Sequence, residues 1–466
     1  MTHCNPQTTV LASSPITFSN LGRLAVLADF AGGTITSDAG ALLLRQVDRK
    51  LGLVDAINDA IPDPRNPLLT THPQVTMLRQ RIFAIALGYE DGNDHQNLRN
   101  DPLMQVITER GIDPDQPLAS PPTLCRLENR ITRQALVDMS KVFVETFIGS
   151  HSTPPKEIIL DFDATHDPVH GNQINRFFHG YYDEYCFLPL YVFCGEHLLC
   201  AYLRPANIDA AQHSWAILSL LVKRFRQVWP DVKIIFRGDG GFCRWKMLRW
   251  CEKHGVFYIV GLAKNSRLRE MAKPFIEQAE QQFKMDSHKQ RVFGQIEYAA
   301  YTWDKSRRVI VKAEQLTQGP NLRFIVSNLS GAESEGKASA SEGKASAQEL
   351  YDTVYCKRGE CENRIKEQQL GLFADRTSCH EFAANQFRVL LSAAAYVLLQ
   401  QLRQVGLAGT ELAEAQVTTI RAKLLKIGGL LKRSARRIIL HLAGGYPMQE
   451  LFGRIAARLL PAASSG

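Results

Sequence analysis

The sequence predicts an α/β protein: a core of mixed strands and helices, broken by a β-rich insertion, with a helical region before it and a basic region after it. Three observations carry this. Ile158 to Leu160 is an apolar strand without alternation, the pattern of a strand buried on both faces, and it runs into Asp161, Asp163 and Thr165. Leu188 to Cys194 and His197 to Leu203 are strand-like runs joined by Gly195 and Glu196, a hairpin signature. Val232 to Arg237 is another short apolar strand, set off from the hairpin by helical spacing over Ala210 to Arg226. The order is strand, strand, strand, helix, strand.

Taken from the start, residues 1–20 show no apolar periodicity and are expected to lack order. Thr36 to Gly40 reads as a turn into an N-cap, followed by helical spacing from Ala41 to Leu53. A second helix over Pro73 to Leu87 ends at Gly88, with a polar loop from Tyr89 to Asp94 behind it. A third opens at Ser120, with Pro121 in the first helical position, and is expected to continue through Ile131 toward Ile148. Arg126, Arg130 and Arg133 lie on neighbouring turns of it, suited either to a major groove or to a solvated face.

Beyond Thr165, a Gly-, Asn- and Tyr-rich connection leads from His170 to Tyr185, and the strand ending at Arg237 is closed by Gly238, Asp239, Gly240 and Gly241. A helix over Trp245 to His254 and a strand over Val256 to Leu262 follow, after which residues 290–328 alternate in strand fashion. Ser334 to Ala340 is repeated as Ser341 to Ala347; two short polar copies cannot build a repeat architecture, so a flexible duplicated loop is expected. A helix from Glu349 to Leu370 places Tyr355, Arg358, Glu362, Lys366 and Gln369 within about 80° of arc, a polar stripe on one face. Phe382 to Leu402 is helical and apolar. The end of the chain is basic: Arg421, Lys423, Lys426, Lys432, Arg433, Arg436 and Arg437 occur with no acid from Ala415 to Gln449, a footprint suited to phosphates or a bland basic surface.

With 466 residues, 45% of them hydrophobic and 22% charged, the chain is long enough for roughly two to four domains with a large core. No run of 18 or more apolar residues occurs, and Met1 to Asn20 has neither the basic nor the apolar region of a signal peptide, so a cytosolic protein with no membrane partner is expected. The ten cysteines include no Cys-x2-Cys pair and are expected to be reduced thiols. A net charge of +8 permits a polyanionic partner without demanding one.

Asp161 and Asp163, two apart on a strand, face the same way roughly 6–7 Å from each other. At an effective dielectric of about 20 their repulsion costs about 2–3 kcal/mol, which a divalent cation would reverse. With Asp239 ending another strand and Glu362 on a later helix, the acids could hold two Mg²⁺ ions for phosphoryl transfer on a polynucleotide. A rival reading fits the same strand: Asp161 and Asp163 resemble the nucleophile and acid of haloacid-dehalogenase-type phosphatases, with Gly238-Asp239 imitating their late metal motif. That rival lacks a second late acid, since the next after Asp239 is Glu252, and it gives the basic segment no role.

Several stretches together resemble the DDE transposases of bacterial insertion sequences, which have an RNase H-like catalytic core; within the insertion-sequence-four-like assemblage the chain is most similar to the thirteen-eighty type. The stretches are Gly32 to Asp38, Gly88 to Asp91, Leu98 to Pro102, Thr123 to Asn129, Leu160 to Thr165, Leu203 to Pro205, Arg237 to Asp239, Tyr355 to Glu367 and Asp375 to Cys379. The resemblance puts the family's catalytic and metal-binding acids on Asp163, Asp239 and Glu362, with Asp161 as a supporting neighbour. Tyr355 and Arg358 are the companions of Glu362 in a Tyr-x2-Arg-x3-Glu signature. The family's lysine falls on Gln369, with Lys366 as its substitute.

The resemblance also implies Mg²⁺ as cofactor, with Mn²⁺ as a substitute, and double-stranded DNA as partner, both as terminal inverted repeats and as target. It implies a homodimer that pairs two ends, and contacts to DNA from Tyr355, Arg358, Lys366, Arg126, Arg130, Lys432, Arg433, Arg436 and Arg437. The expected division is a helical DNA-binding region over 1–150, the core over 151–262 and 348–405, the β-rich insertion and duplicated loop over 263–347, and a basic region over 406–466. A DNA-binding derivative that has lost catalysis is the remaining alternative.

Overall fold

The computed structural model describes residues 15–111, 115–329 and 346–460. Most of the duplicated stretch Ser334 to Ala347, up to residue 345, lies outside the described residues, as do residues 1–14 of the expected unordered start. The rest of that start is ordered: β1 (Ile16–Leu21) and β2 (Leu24–Ala28) form an antiparallel hairpin, with β3 (Ile35–Thr36) after it. Alternation over so few residues is too weak a signal to find it.

The helical expectation for the next hundred residues holds, with more breaks. α1 (Ala41–Leu51) stops where Gly52 turns left-handed at φ 67°, and α2 (Leu53–Ala60) starts afresh. α3 (Gln74–Leu87) ends at Gly88, which is also left-handed. Two short helices, α4 (His95–Leu98) and α5 (Pro102–Ile107), lead to α6 (Pro121–Asn129) and α7 (Arg133–Gly149). The single helix expected from Ser120 toward Ile148 is therefore two, because the Thr132 hydroxyl accepts from the Ala135 amide at 3.2 Å and caps a new start.

The core then unfolds as β4 (Glu157–Ala164), three short strands β5 (Asp167–Pro168), β6 (Phe177–His179) and β7 (Glu184–Phe187), the hairpin β8 (Leu190–Cys194) and β9 (His197–Tyr202), α8 (Ser214–Val228), β10 (Lys233–Gly238), α9 (Trp245–Lys253) and β11 (Phe257–Leu262). β4 lies between β8 and β10, antiparallel to the first and parallel to the second; β9 flanks β8 and β11 runs parallel beside β10. Counting these five strands in chain order, the sheet reads third, second, first, fourth, fifth. That is the RNase H-like order.

The β-rich insertion does not stand apart from this sheet. After α10 (Ser266–Met271) and α11 (Lys273–Asp286), the strands β12 (Gln290–Tyr298), β13 (Arg307–Leu316) and β14 (Gly319–Ser327) add to it, β14 pairing antiparallel with β11, to give eight strands in one sheet.

Alternation along β4 and β10 sorts the two faces. Ile158, Leu160, Phe162, Ile234 and Phe236 join the apolar layer under α8, α9 and α11. Asp161, Asp163, Arg237 and Asp239 fall on the other side. That side is covered by α12 (Ala347–Glu349) and α13 (Arg358–Lys366), joined and followed by wide i→i+5 turns at Leu350–Tyr355 and Glu367–Gly371. Next comes α14 (Phe382–Gln401), whose length and apolarity would suffice to cross a membrane; here it is buried among α3, α7 and β9 as the axis of the larger core.

A charged joint fixes that axis: Glu128 of α6, 2% exposed, accepts from Arg81 of α3 at 3.1 Å and from Arg388 of α14 at 2.9 Å. Removing one partner of such a buried pair typically costs about 3–5 kcal/mol. The C-terminal elements α15 (Val417–Ile420), β15 (Gly429–Arg433), β16 (Ile438–Leu442) and α16 (Gln449–Leu459) return to the N-terminal ones. β15 pairs with β3, and α16 packs on α1.

Candidate active site

Asp161 and Asp163 enter this layer equivalent in sequence and leave it with different jobs. β4 and β10 are in register so that Arg237 stands beside Asp161. Both Asp161 carboxylate oxygens are held by the Arg237 guanidinium, which also donates to the Val354 carbonyl before Tyr355. The pair is almost fully buried, with side-chain exposures of 6% and 4%. Burial raises the Asp161 pKa against the pull of Arg237. An aspartate clamped this way ties β4, β10 and the signature segment together and offers no free oxygen as a nucleophile. The phosphatase reading of Asp161 fails on that geometry.

Asp163, two residues on, meets Arg358 at 3.2 Å, and Arg358 reaches Glu362 on the next turn of α13 at 2.5 Å. Asp239 closes β10 and caps the turn Gly240–Phe242, its Oδ1 accepting from the Gly241 amide at 2.8 Å. Burial pushes the Asp163 carboxyl up to about 7, with Arg358 pulling down and Asp239 and Glu362 pushing further up. Arg358 is raised despite its burial because Asp163 and Glu362 favour its charge. Three carboxylates from a first strand, a fourth strand and a late helix thus share one field, with a single guanidinium among them.

Tyr355 completes the floor. Its hydroxyl lies against Gly261 of β11: a Cβ built there would come within 2.7 Å of that oxygen, 2.7 Å of the Gly240 amide nitrogen and 3.1 Å of the Asp239 carbonyl carbon. Only glycine lets the Asp239 loop and Tyr355 approach this closely. Sequence reasoning passed over Gly261, although a glycine inside the run Phe257 to Leu262 is itself the signal of a close backbone approach.

The expected stripe of five polar residues is broken. Each wide turn spends an extra residue per turn, so Tyr355 and Gln369 rotate away from the positions a regular helix would give them. Arg358 and Glu362 remain i,i+4 neighbours, and Lys366 is exposed. Gln369 is turned inward. Its amide donates to the Asp167 carboxylate at 2.6 Å and the His166 carbonyl at 3.1 Å, and its oxygen accepts from the Thr165 hydroxyl at 3.3 Å. It braces the exit of β4 and presents nothing outward. Burial pushes Asp167, fully enclosed, up to about 8, and its second oxygen has no partner among the described residues.

The remaining candidate cations separate in the same way. Arg126 is exposed on α6, whereas Arg130 is held by Gln74 at 2.6 Å and Asp63 at 3.4 Å. Arg421 caps carbonyls at the end of α3 and at Gly371, and Lys426 pairs with Asp38 at 2.6 Å. Lys432, Arg433, Arg436 and Arg437 are exposed on the β15–β16 hairpin.

Among the described residues, no three carboxylate, imidazole or thiol groups stand close enough to clasp one ion as arranged, with Arg358 lying between Asp163 and Glu362. The donor chemistry still suits a hard divalent cation such as Mg²⁺ or Mn²⁺. Arg358, 3.2 Å from Asp163 and 2.5 Å from Glu362, brings one positive charge to three carboxylates, which leaves negative charge for a cation to meet.

A family model described as transposase DDE domain group 1 matches residues 18–464. Among solved structures, the chain is similar to a piggyBac transposase in a synaptic complex with hairpin DNA, with a TM-score of 0.40 at 10% identity over 92% of this chain and 87% of that one. No curated protein matches.

Proposed function

The chain belongs to the group 1 DDE transposase domain family, and from that premise we propose that it is the transposase of a bacterial insertion sequence of the thirteen-eighty type, acting in the cytoplasm on DNA. Asp163, Asp239 and Glu362 are its catalytic acids. The observation that carries this reading is their convergence on one face of an RNase H-like sheet from positions 76 and 123 residues apart, with Arg358 between two of them.

The three acids would hold two Mg²⁺ ions, which when bound supply activation of the attacking oxygen and stabilisation of the leaving one. Everything else falls to the protein's own side chains. Arg358, which bridges Asp163 and Glu362, would turn its guanidinium fork to a phosphate beside the cut. Tyr355, wedged against Gly261, fixes the backbone of the bound strand. Asp161 and Arg237 keep β4 and β10 in register so that Asp163 and Asp239 face the same phosphate. Water makes the first cut at the element's end, and the freed hydroxyl then attacks target DNA.

Terminal inverted repeats are read by the N-terminal helices around Thr123 to Asn129, with Arg126 on a phosphate. Lys366, Lys432, Arg433, Arg436 and Arg437 add backbone contacts. Two copies of the chain pair the two ends. The test is incubation of the protein with its flanking DNA and Mg²⁺, then mapping of the cut ends. Cleavage at the repeat boundary is expected, and normal Mg²⁺-dependent cleavage by Asp163→Asn, Asp239→Asn or Glu362→Gln would overturn the assignment.

A further inference from the structure

Beside the Asp239 loop lies a pocket of about 490 Å³ that none of the proposed chemistry uses. Arg244, on its rim, follows Asp239 by five positions, and Ala210, next to Ala211 in its wall, comes within 3.8 Å of a Cβ built on Gly241. Two indoles line it, Trp215 from the first turn of α8 and Trp250 from α9. Trp215 is 53% exposed. One face of Trp250 is stacked on His254, with ring centroids 4.3 Å apart.

Four cations surround these rings: Arg244, Lys246, Arg249 and Lys253. Arg244 meets Asp209 at 2.5 Å with both side chains about half exposed, and Arg249 only approaches Asp304 at 3.8 Å. Lys246 and Lys253 have no ion pair among the described residues. The floor is closed by buried Ser214 and Met247, whose side chains touch at 3.5 Å. An indole left about half exposed among cations keeps apolar surface in water. Its complement is a flat π-face carrying negative charge, which is the chemistry of a base and its phosphates. The volume suits a ligand of that size.

We propose that this pocket takes one unstacked nucleotide of the DNA strand that runs past Asp239, its base on Trp215 and its phosphates on Lys246, Arg249 and Lys253. The inference rests on the transposase reading and adds a second site of strand capture to it. The pocket lies between α8 and α9, on the face of the sheet away from the acids, so the strand would pass round the Asp239 loop to enter it.

The test compares a blunt terminal-repeat duplex with the same duplex carrying a short single-stranded flank that contains 2-aminopurine, with Ca²⁺ in place of Mg²⁺ to prevent cutting. Wild type should bind the flanked duplex about tenfold more tightly than the blunt one, with a change in 2-aminopurine emission. Trp215→Ala should lose both the preference and the emission change, Trp215→Phe should keep most of each, and all three proteins should bind the blunt duplex alike. Equal binding of the two duplexes by wild type, or an undiminished preference in Trp215→Ala, would sink the pocket and leave the transposase reading standing. Failure to bind either duplex would remove that reading itself. Saturation by free dAMP without loss of the flank preference would assign the pocket to a free nucleotide and overturn the proposal.

Discussion

Replacing the two neighbouring aspartates by asparagine should move stability in opposite directions. Asp161→Asn leaves the Arg237 guanidinium buried at 6% exposure with its counter-charge gone. Breaking a buried pair in this way costs about 3–5 kcal/mol, somewhat less here because an amide oxygen still accepts one hydrogen bond. Asp163→Asn does the reverse. Its carboxyl is pushed from 3.8 up to about 7, so the unfolded chain gives up the proton near pH 4 while the folded site holds it to near neutrality. The stability tied to this group is therefore complete below about pH 4 and is lost as pH rises to about 7. At about 1.36 kcal/mol per pKa unit, the loss at pH 7.5 is at most about 4 kcal/mol, and the amide removes it.

Urea unfolding at pH 7.5 in EDTA reads both effects, and Mg²⁺-dependent cleavage at a temperature where every variant is folded reads function. Asp161→Asn should unfold at markedly lower urea yet retain measurable cleavage. Asp163→Asn should be at least as stable as wild type and inactive. An Asp161→Asn protein of wild-type stability without cleavage would refute the division of labour, as would a destabilised Asp163→Asn.

Gly261→Ala should lower cleavage of an end duplex about 100-fold or more with little change in DNA affinity, because an added methyl displaces Tyr355 and the Asp239 loop together; an unchanged single-turnover rate would show that neither position matters. Asp167, held protonated by burial up to about 8, has stability that is full below about pH 4 and lost as pH climbs to about 8. Asp167→Asn should accordingly raise Tm at pH 8 and flatten its dependence on pH between 5 and 8. Removing Lys432, Arg436 and Arg437 together should reduce the slope of log affinity against log salt for duplex DNA by about 2–3, while the rate of cleavage within the bound complex stays close to wild type.

The core strands and their order along the chain were legible in the amino-acid sequence by itself, as were Asp163, Asp239 and Glu362 as candidate acids, whereas β1, β2, β15 and β16 were not. Buried strands announce themselves by apolar runs, and Asp163, Asp239 and Glu362 lie where short motifs of fixed spacing could mark them. The insertion strands were equally legible from alternation, but their joining to β11 was not, because edge pairing depends on which strand lies open in space. Helix breaks at Gly52 and Thr132 were missed where local capping overrode a continuous apolar pattern.

The family resemblance favoured Asp163 over Asp161, but only the tertiary structure gives the two a physical difference. Their spacing makes them equivalent along β4, and the register of β10, set by the whole sheet, puts Arg237 beside one and leaves the other to Arg358. The same holds for the signature helix. Its wide turns swing Gln369 inward to Asp167 and leave Lys366 outside, a rotation that no count at 100° per residue can foresee. Residue type and spacing fix what chemistry a segment can offer. Which charge meets which partner is decided by packing, because a buried guanidinium must be neutralised by whatever the fold has placed within its reach.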